Sequence, residues 1–403
     1  MWVTPPRDDA FSTVSAPERK RHMSQSRSAR PVLAAVALTL VAAGLTACAE
    51  GGGTTGSAED ADLTAAQARV DKYAEPPAFE APGDPFDAGK VMSGKTIAGI
   101  PVNSAIDFTQ FYADAAERIA GEVGFTYTTW PNQGSPTEWD QGVQKALSEK
   151  ADLVELFAGI DPAQIAPAMA RAGDAGVPVL STDGYDLTQS PDQGLAGTVS
   201  CPCSEAARVM IDWATLKTKG AGKLLVLTSS DVKASAASES AMKDELKAVC
   251  PGCEATFIDI PSADWATKIL PQVQSALVAD PEIDYVLPVF DTMSIWAVQA
   301  ITQSGRQDKV KIATYNGTPS ILDLMRDSDI IEMNVGQSND WMAHVTLDQA
   351  MRTIGGLPTN PKASWPLYIW THDNLDEAGD PATDSRGYGE EYQDGFRTLW
   401  GLS

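Results

Sequence analysis

Residues 95–124 read KTIAGIPVNSAIDFTQFYADAAERIAGEVG, and this stretch decides the fold. KTIAGIPV is an apolar, β-prone run. In the segment behind it Phe108, Phe111, Tyr112, Ala115, Ile119 and Val123 recur at helical spacing, and Gly124 supplies the stop. FTYTTW then begins another strand. The same alternation continues: ADLVELFAGI predicts a strand, and DPAQIAPAMARAGDAG opens a helix with Asp161 as N-cap and Pro162 at the first helical position. VPVLST, GLAGTVS, GKLLVLTSS, EATFIDI, DYVLPVF, VKIATYNG and IIEMNVGQS extend the strand series, mostly with helices between them. Pro288 makes DYVLPVF the weakest of these, because proline removes a ladder donor.

Strand–helix alternation of this kind predicts an α/β fold of doubly wound parallel sheets. A second series begins after SCPCSE near residue 200, so two lobes of similar size are expected. Ligands of open α/β sheets sit beyond the carboxyl ends of the strands. Two facing lobes therefore enclose a cleft lined by the residues that end each strand.

The chain has 403 residues and a formal net charge of −24. That balance argues against a nucleic-acid partner, which needs a basic face to displace counterions. The one long apolar run, PVLAAVALTLVAAGLTAC (31–48), is short for a membrane span and follows Arg27 and Arg30. It has the layout of a secretory signal peptide, and LTAC matches the bacterial lipobox, with Cys48 as the lipidated residue. Residues 1–47 are read as signal peptide with Met23 as the true start, and residues 48–94 as the lipidated Cys and a flexible tether holding one short helix near LTAAQARVDKY. The expected location is the extracytoplasmic face of the cell membrane, lipid-anchored. Cys201, Cys203, Cys250 and Cys253 are disulfide candidates in an exported chain, with the pairing left open.

The strand ends carry NSAIDF (103–108), TDGYD (182–186), Asp264–Trp265, Phe290–Asp291, Tyr315–Asn316 and GQSND (336–340). Acids and amides exchange hydrogen bonds with hydroxyls, and aromatic faces stack on the C–H face of a sugar ring, so this mixture suits a polyhydroxylated ligand. Enzymatic readings fare poorly. Beyond residue 48 the only histidines are His344 and His372, neither near a serine in a GxSxG context. No Walker loop appears, and no GxGxxG follows a strand. No catalytic residue, cofactor or metal site is expected.

These segments together resemble the type I periplasmic solute-binding proteins of ABC importers, in the ribose- and galactose-binding cluster. The resemblance rests on the order of GKTIAGIPV, IDFTQFYADAAERIAGEVGF, ADLVELFAGIDPAQIAPAMARAGDAGVPVLSTDGYD, DYVLPVFDTMSIWAVQAITQSG and YNGTPSILDLMRDSDIIEMNVGQ, covering about residues 95–374. It implies a Venus-flytrap architecture with a three-crossing hinge near residues 199–201, 336–338 and 365–371. The implied lobes are 95–200 plus 337–365 and 201–336 plus 366–403. It also implies capture of a sugar or sugar-like molecule, delivery to an ABC permease and a monomeric state; the lipobox and composition suit an actinobacterium.

Carried over by position, the resemblance assigns ligand-binding roles to Phe108, Thr109, Asp183, Ser238, Trp265, Phe290, Asp291, Asn316 and Gln337. Two positions where the family usually has arginine are Gly184 and Ser238, and a common amide is Phe290, which makes the pocket less charged and more apolar than a pentose site. The rivals are a ligand sensor feeding a histidine kinase, which would share fold and anchor, and a secreted hydrolase with Asp183 and Asp291 as acid–base pair.

Overall fold

The computed structural model describes residues 61–389 and 391–402. The signal segment and Cys48 lie outside them. The first sheet contains β1 (Thr96–Pro101), β2 (Thr126–Thr129), β3 (Leu153–Phe157), β4 (Val179–Asp186) and β5 (Gly197–Cys201), in the order β2-β1-β3-β4-β5 and parallel throughout. The second contains β6 (Lys223–Thr228), β7 (Glu254–Asp259), β8 (Tyr285–Pro288), β9 (Lys311–Asn316), β10 (Ile331–Gly336) and β11 (Tyr368–Trp370). Its order is β11-β10-β9-β8-β6-β7, parallel except for β11, which runs antiparallel to β10. The two-lobe α/β architecture is therefore as expected, and β8 ends at Pro288, where a missing ladder donor costs least.

Twelve α-helices flank the sheets among the described residues: α1 (Leu63–Lys72), α2 (Ala88–Val91), α3 (Asp107–Val123), α4 (Pro136–Ser148), α5 (Ala166–Ala175), α6 (Cys203–Thr218), α7 (Ser235–Val249), α8 (Trp265–Ala279), α9 (Ser294–Gln303), α10 (Pro319–Arg326), α11 (Asn339–Gly355) and α12 (Glu391–Leu399). Their ends follow local rules. α3 stops at Gly124 in a left-handed conformation, and Ser135 caps α4 with Glu138 returning to its hydroxyl. Strand β3 is buried along its length although it holds Glu155; Tyr112 and Tyr127 donate to the two carboxylate oxygens at 2.5 and 2.7 Å, so the buried charge is met by hydrogen bonds.

The lobes join where β5 passes into α6, where β10 passes into α11, and along the segment leading to β11. α11 returns to the first lobe and packs on α3. Two further connections were not anticipated. Residues 61–94, expected to be tether, are seated on both lobes: α1 packs on α6 and α7 of the second, while α2 packs on α11 of the first. Arg69 anchors α1 in an acidic socket, 2.7 Å from Asp212 and 2.5 Å from Glu245. Between the helices the Tyr73 carbonyl accepts from Ile369 N–H of β11, and Phe79 packs edge-on against Phe396.

The segment 366–403, expected in the second lobe, divides between the two. Residues 371–389 stay with the second lobe, where Arg326 donates to the Leu375 and Gly379 carbonyls. α12 crosses back. Tyr392 donates to Asp340, Trp400 donates to Asp348, and the Leu399 carbonyl accepts from Phe86 N–H, so residues 391–402 belong to the first lobe. The sulfurs of Cys201 and Cys203 are bonded to each other, as are those of Cys250 and Cys253.

Candidate functional site

Strands that are parallel and central end on the same side, and here those ends of the two lobes face each other across a cleft. It encloses about 470 Å³ of empty space, open mouth included. The first lobe contributes Val102, Ile106, Phe108, Thr109, Ala158 and Asp183, and the second Val232, Ser262, Trp265, Phe290, Thr292 and Asn316. The lining is mostly apolar, and none of these residues is cationic.

Aromatic groups form two walls. On the first lobe Phe108 stacks on Phe157 at 5.6 Å between centroids, and Phe157 stacks in turn on Tyr112. On the second, Trp265 and Phe290 lie 6.1 Å apart at an angle of 35°. The Trp265 indole N–H is spent on Ser229 Oγ and the Ile260 carbonyl, at 3.2 and 3.1 Å, which fixes the ring.

Two polar side chains sit between the walls on unusual backbone. Asp183 at φ 55° and Asn316 at φ 147° both occupy the positive-φ region that favours glycine. Strain of this kind persists where the surrounding fold over-determines it, often at binding sites. Asp183 is 8% exposed and has no hydrogen-bond or ion-pair partner among the described residues. Burial pushes its carboxyl up to about 8. Asn316 Oδ1 accepts weakly from Asp291 N–H at 3.4 Å, which leaves its amide N–H groups available to a ligand.

Six of the nine residues assigned from sequence thus meet in the cleft: Phe108, Thr109, Asp183, Trp265, Phe290 and Asn316. Thr109 contributes shape more than donors, since its hydroxyl turns back to the carbonyls of Asn103 and Ile106 at 2.7 and 2.8 Å. The other three lie outside the lining. Asp291 is fully buried behind Asn316 and accepts from Thr318 N–H, Thr318 Oγ1 and Asn334 Nδ2 at 2.7, 2.8 and 3.1 Å. Burial still pushes its carboxyl up to about 6, against those hydrogen bonds. Gln337 stands at the β10–α11 crossing and accepts from Tyr315 and Trp365, a hinge role. Ser238 is buried in α7, its hydroxyl directed at the Ala234 carbonyl.

Sequence reasoning missed the contact across the mouth. Gly159 and Val232 approach so closely that a Cβ on Gly159 would lie 2.6 Å from Val232 Cγ1. Beside them Lys233 of the second lobe reaches Asp192 at 2.5 Å and Asp161 at 3.2 Å in the first, and its ammonium lies 4.9 Å from the Tyr185 ring centroid. The signal was present: SSDVKAS follows β6, so it too is a strand end.

Solved structures share this architecture. A sugar ABC transporter from Yersinia enterocolitica subsp. enterocolitica 8081 matches with a TM-score of 0.67 and 20% identity, over 81% of this chain and 98% of that one. The Caulobacter myo-inositol binding protein bound to myo-inositol matches at 0.61 and 20%, over 73% and 98%. An ABC transporter solute binding protein from Agrobacterium vitis with bound allitol matches at 0.62 and 18%, over 72% and 99%. At these identities the likeness concerns the fold. Residues 97–358 match the family model described as a periplasmic binding protein domain. The chain belongs to that family of solute-binding proteins, which are not enzymes.

Proposed function

We propose that the protein is the extracytoplasmic solute-binding component of an ABC importer, which captures a sugar- or polyol-class small molecule between its lobes. The observation that carries this reading is the cleft itself: Phe108 and Asp183 of the first lobe and Trp265, Phe290 and Asn316 of the second line one space. Aromatic walls suit the C–H faces of a ring, and the two polar groups suit its substituents. The allitol and myo-inositol held by the Agrobacterium and Caulobacter proteins support the same ligand class.

Capture works by hinge closure. A ligand touching both lobes stabilises the closed form only by its differential affinity for that form. The closed form is then the species a permease recognises. Cys48 carries lipid in this reading, and the tether keeps the receptor concentrated at the membrane. Among the described residues no helix is long and apolar enough to cross a membrane.

The test is tryptophan fluorescence and thermal shift of the full chain against a panel of hexoses, pentoses, hexitols and inositols. Saturable stabilisation by one member, lost in Trp265→Ala, is the expected result. A panel without any saturable response overturns the sugar reading.

A further inference from the structure

The cleft holds a buried carboxyl that no described side chain pairs. Asp183 is its one ionisable lining group and is buried without a partner among the described residues. Nothing nearby can supply a cation. Gly184 is packed so tightly that a Cβ there would lie 2.4 Å from Ser181 Oγ, and Ser238 is buried in α7. Lys233 stands at the mouth, already engaged by Asp161 and Asp192. The neighbouring carboxylates are already engaged: Asp186 accepts from Ser204 N–H and Asp291 from Thr318. The sulfurs of Cys201 and Cys203 lie within 4.8 Å of the Asp183 carboxylate and are bonded to each other. The rings of Phe108, Trp265 and Phe290 line the same space, and aromatic faces attract cations.

We infer that the cargo carries a protonated nitrogen on its hydroxylated body, as an amino sugar or amino polyol does, and that this ammonium pairs with Asp183. The inference rests on the sugar- or polyol-class reading of the cleft. It explains why a carboxylate without an arginine neighbour stands in an apolar, aromatic site. A buried carboxylate is costly until a counter-ion arrives, and here the ligand brings it. It also has a proton signature. Burial holds Asp183 protonated in the free protein at mildly acidic pH, so pairing with an ammonium expels that proton, whereas a neutral hydroxyl leaves it in place.

The experiment is isothermal titration of the full chain at pH 6.5 with matched pairs: D-glucosamine and D-glucose, D-galactosamine and D-galactose, an amino-deoxy-inositol and myo-inositol. Each titration is run in two buffers of different ionisation enthalpy, so that protons released are counted. The expected result is at least one pair whose amine binds about tenfold or more tightly than its neutral partner. That amine should release close to one proton. In Asp183→Asn the amine should lose its advantage over its neutral partner; asparagine tolerates the positive φ at this position. The proton count is taken on the unaltered protein and does not depend on the variant's folding. Neutral members binding as tightly as amines, or an amine preference that survives Asp183→Asn, overturns the inference and leaves the sugar reading standing. Absence of binding by every member of both series overturns both.

Discussion

Lys233 Nζ lies 2.5 Å from Asp192 Oδ2, joining the second lobe to the first across the mouth of the cleft. Tyr185 donates to the same carboxylate at 2.8 Å, and the Lys233 ammonium also reaches Asp161. The hydrogen bond from Lys233, with that from Tyr185, holds the Asp192 carboxyl below the usual carboxylate range. A depressed carboxylate contributes stability above its unfolded pKa and loses it as pH falls through the folded value. The clasp therefore persists at neutral pH and opens in acid. Its charged members, Lys233, Asp161 and Asp192, are partly exposed, so its worth is that of a surface pair, about 1 kcal/mol or less. Lys233→Ala should weaken ligand binding by no more than about fivefold and leave the melting temperature nearly unchanged. The effect should shrink with added salt. Titration calorimetry at low and high ionic strength reads both.

Gly159 offers a sharper lever on closure. It combines φ 92° with the 2.6 Å approach to Val232 that a Cβ would impose. Gly159→Ala should cost about 1–2 kcal/mol of folding stability through its backbone, while the added Cβ against Val232 should hold the lobes apart and weaken ligand binding. Small-angle scattering should show a larger radius of gyration in the variant at saturating ligand. An unchanged profile and affinity would mean that the lobes need not meet at this point.

Asp183 should cost stability where it serves binding. Its folded pKa is raised well above the unfolded carboxylate value, so the folded state binds the proton more tightly, and stability falls as pH rises from about 4 toward about 8. Asp183→Asn removes that loss. The variant should melt a few degrees above the wild type at pH 8.5 and show a smaller advantage at pH 4.5, while binding is impaired. Differential scanning calorimetry across this range without added ligand is the measurement.

The α1 socket behaves differently. Asp212 is fully buried, and burial pushes its carboxyl up to about 7 even with Arg69 beside it. Arg69→Met leaves Asp212 and Glu245 facing each other with Arg208 3.5 Å from Glu245. Removing one partner of a buried pair costs about 3–5 kcal/mol, less here because Arg69 is 27% exposed. Hydrogen exchange should show residues 63–72 losing protection well before the sheets. A second change, Asp212→Asn, should recover part of the loss.

The site was legible where the strand ends alone decide the outcome. Parallel sheets present their carboxyl ends to the cleft, so Phe108, Asp183, Trp265, Phe290 and Asn316 followed from placing the strands. Asp291 and Gln337 also follow strands, but their side chains turn inward to Thr318 and Asn334, and to Tyr315 and Trp365. Whether a polar group at a strand end meets a ligand or a loop depends on partners distant in sequence, which spacing does not encode. The terminal segments were illegible for another reason. Residues 61–94 are rich in proline, glycine and acids, and their attachment rests on a few separated anchors such as Arg69, Phe79 and Met92. Residues 391–402 join the first lobe through Phe396 and Trp400 against His344 of α11, a match that neither helix announces alone.

The seating of α1 gives the two lobes unequal mechanical parts. Asp62 N–H bonds the Val249 carbonyl at the end of α7, just before the turn that leads into β7. That turn is at the amino end of the sheet, and the cleft is at the carboxyl end. Any load borne by the chain ahead of residue 61 enters the molecule at the outer pole of the second lobe, behind the cleft. In the lipid-tethered receptor proposed above, the second lobe is then the jaw nearer the anchor point, and the face bearing Trp265 is the one held with it.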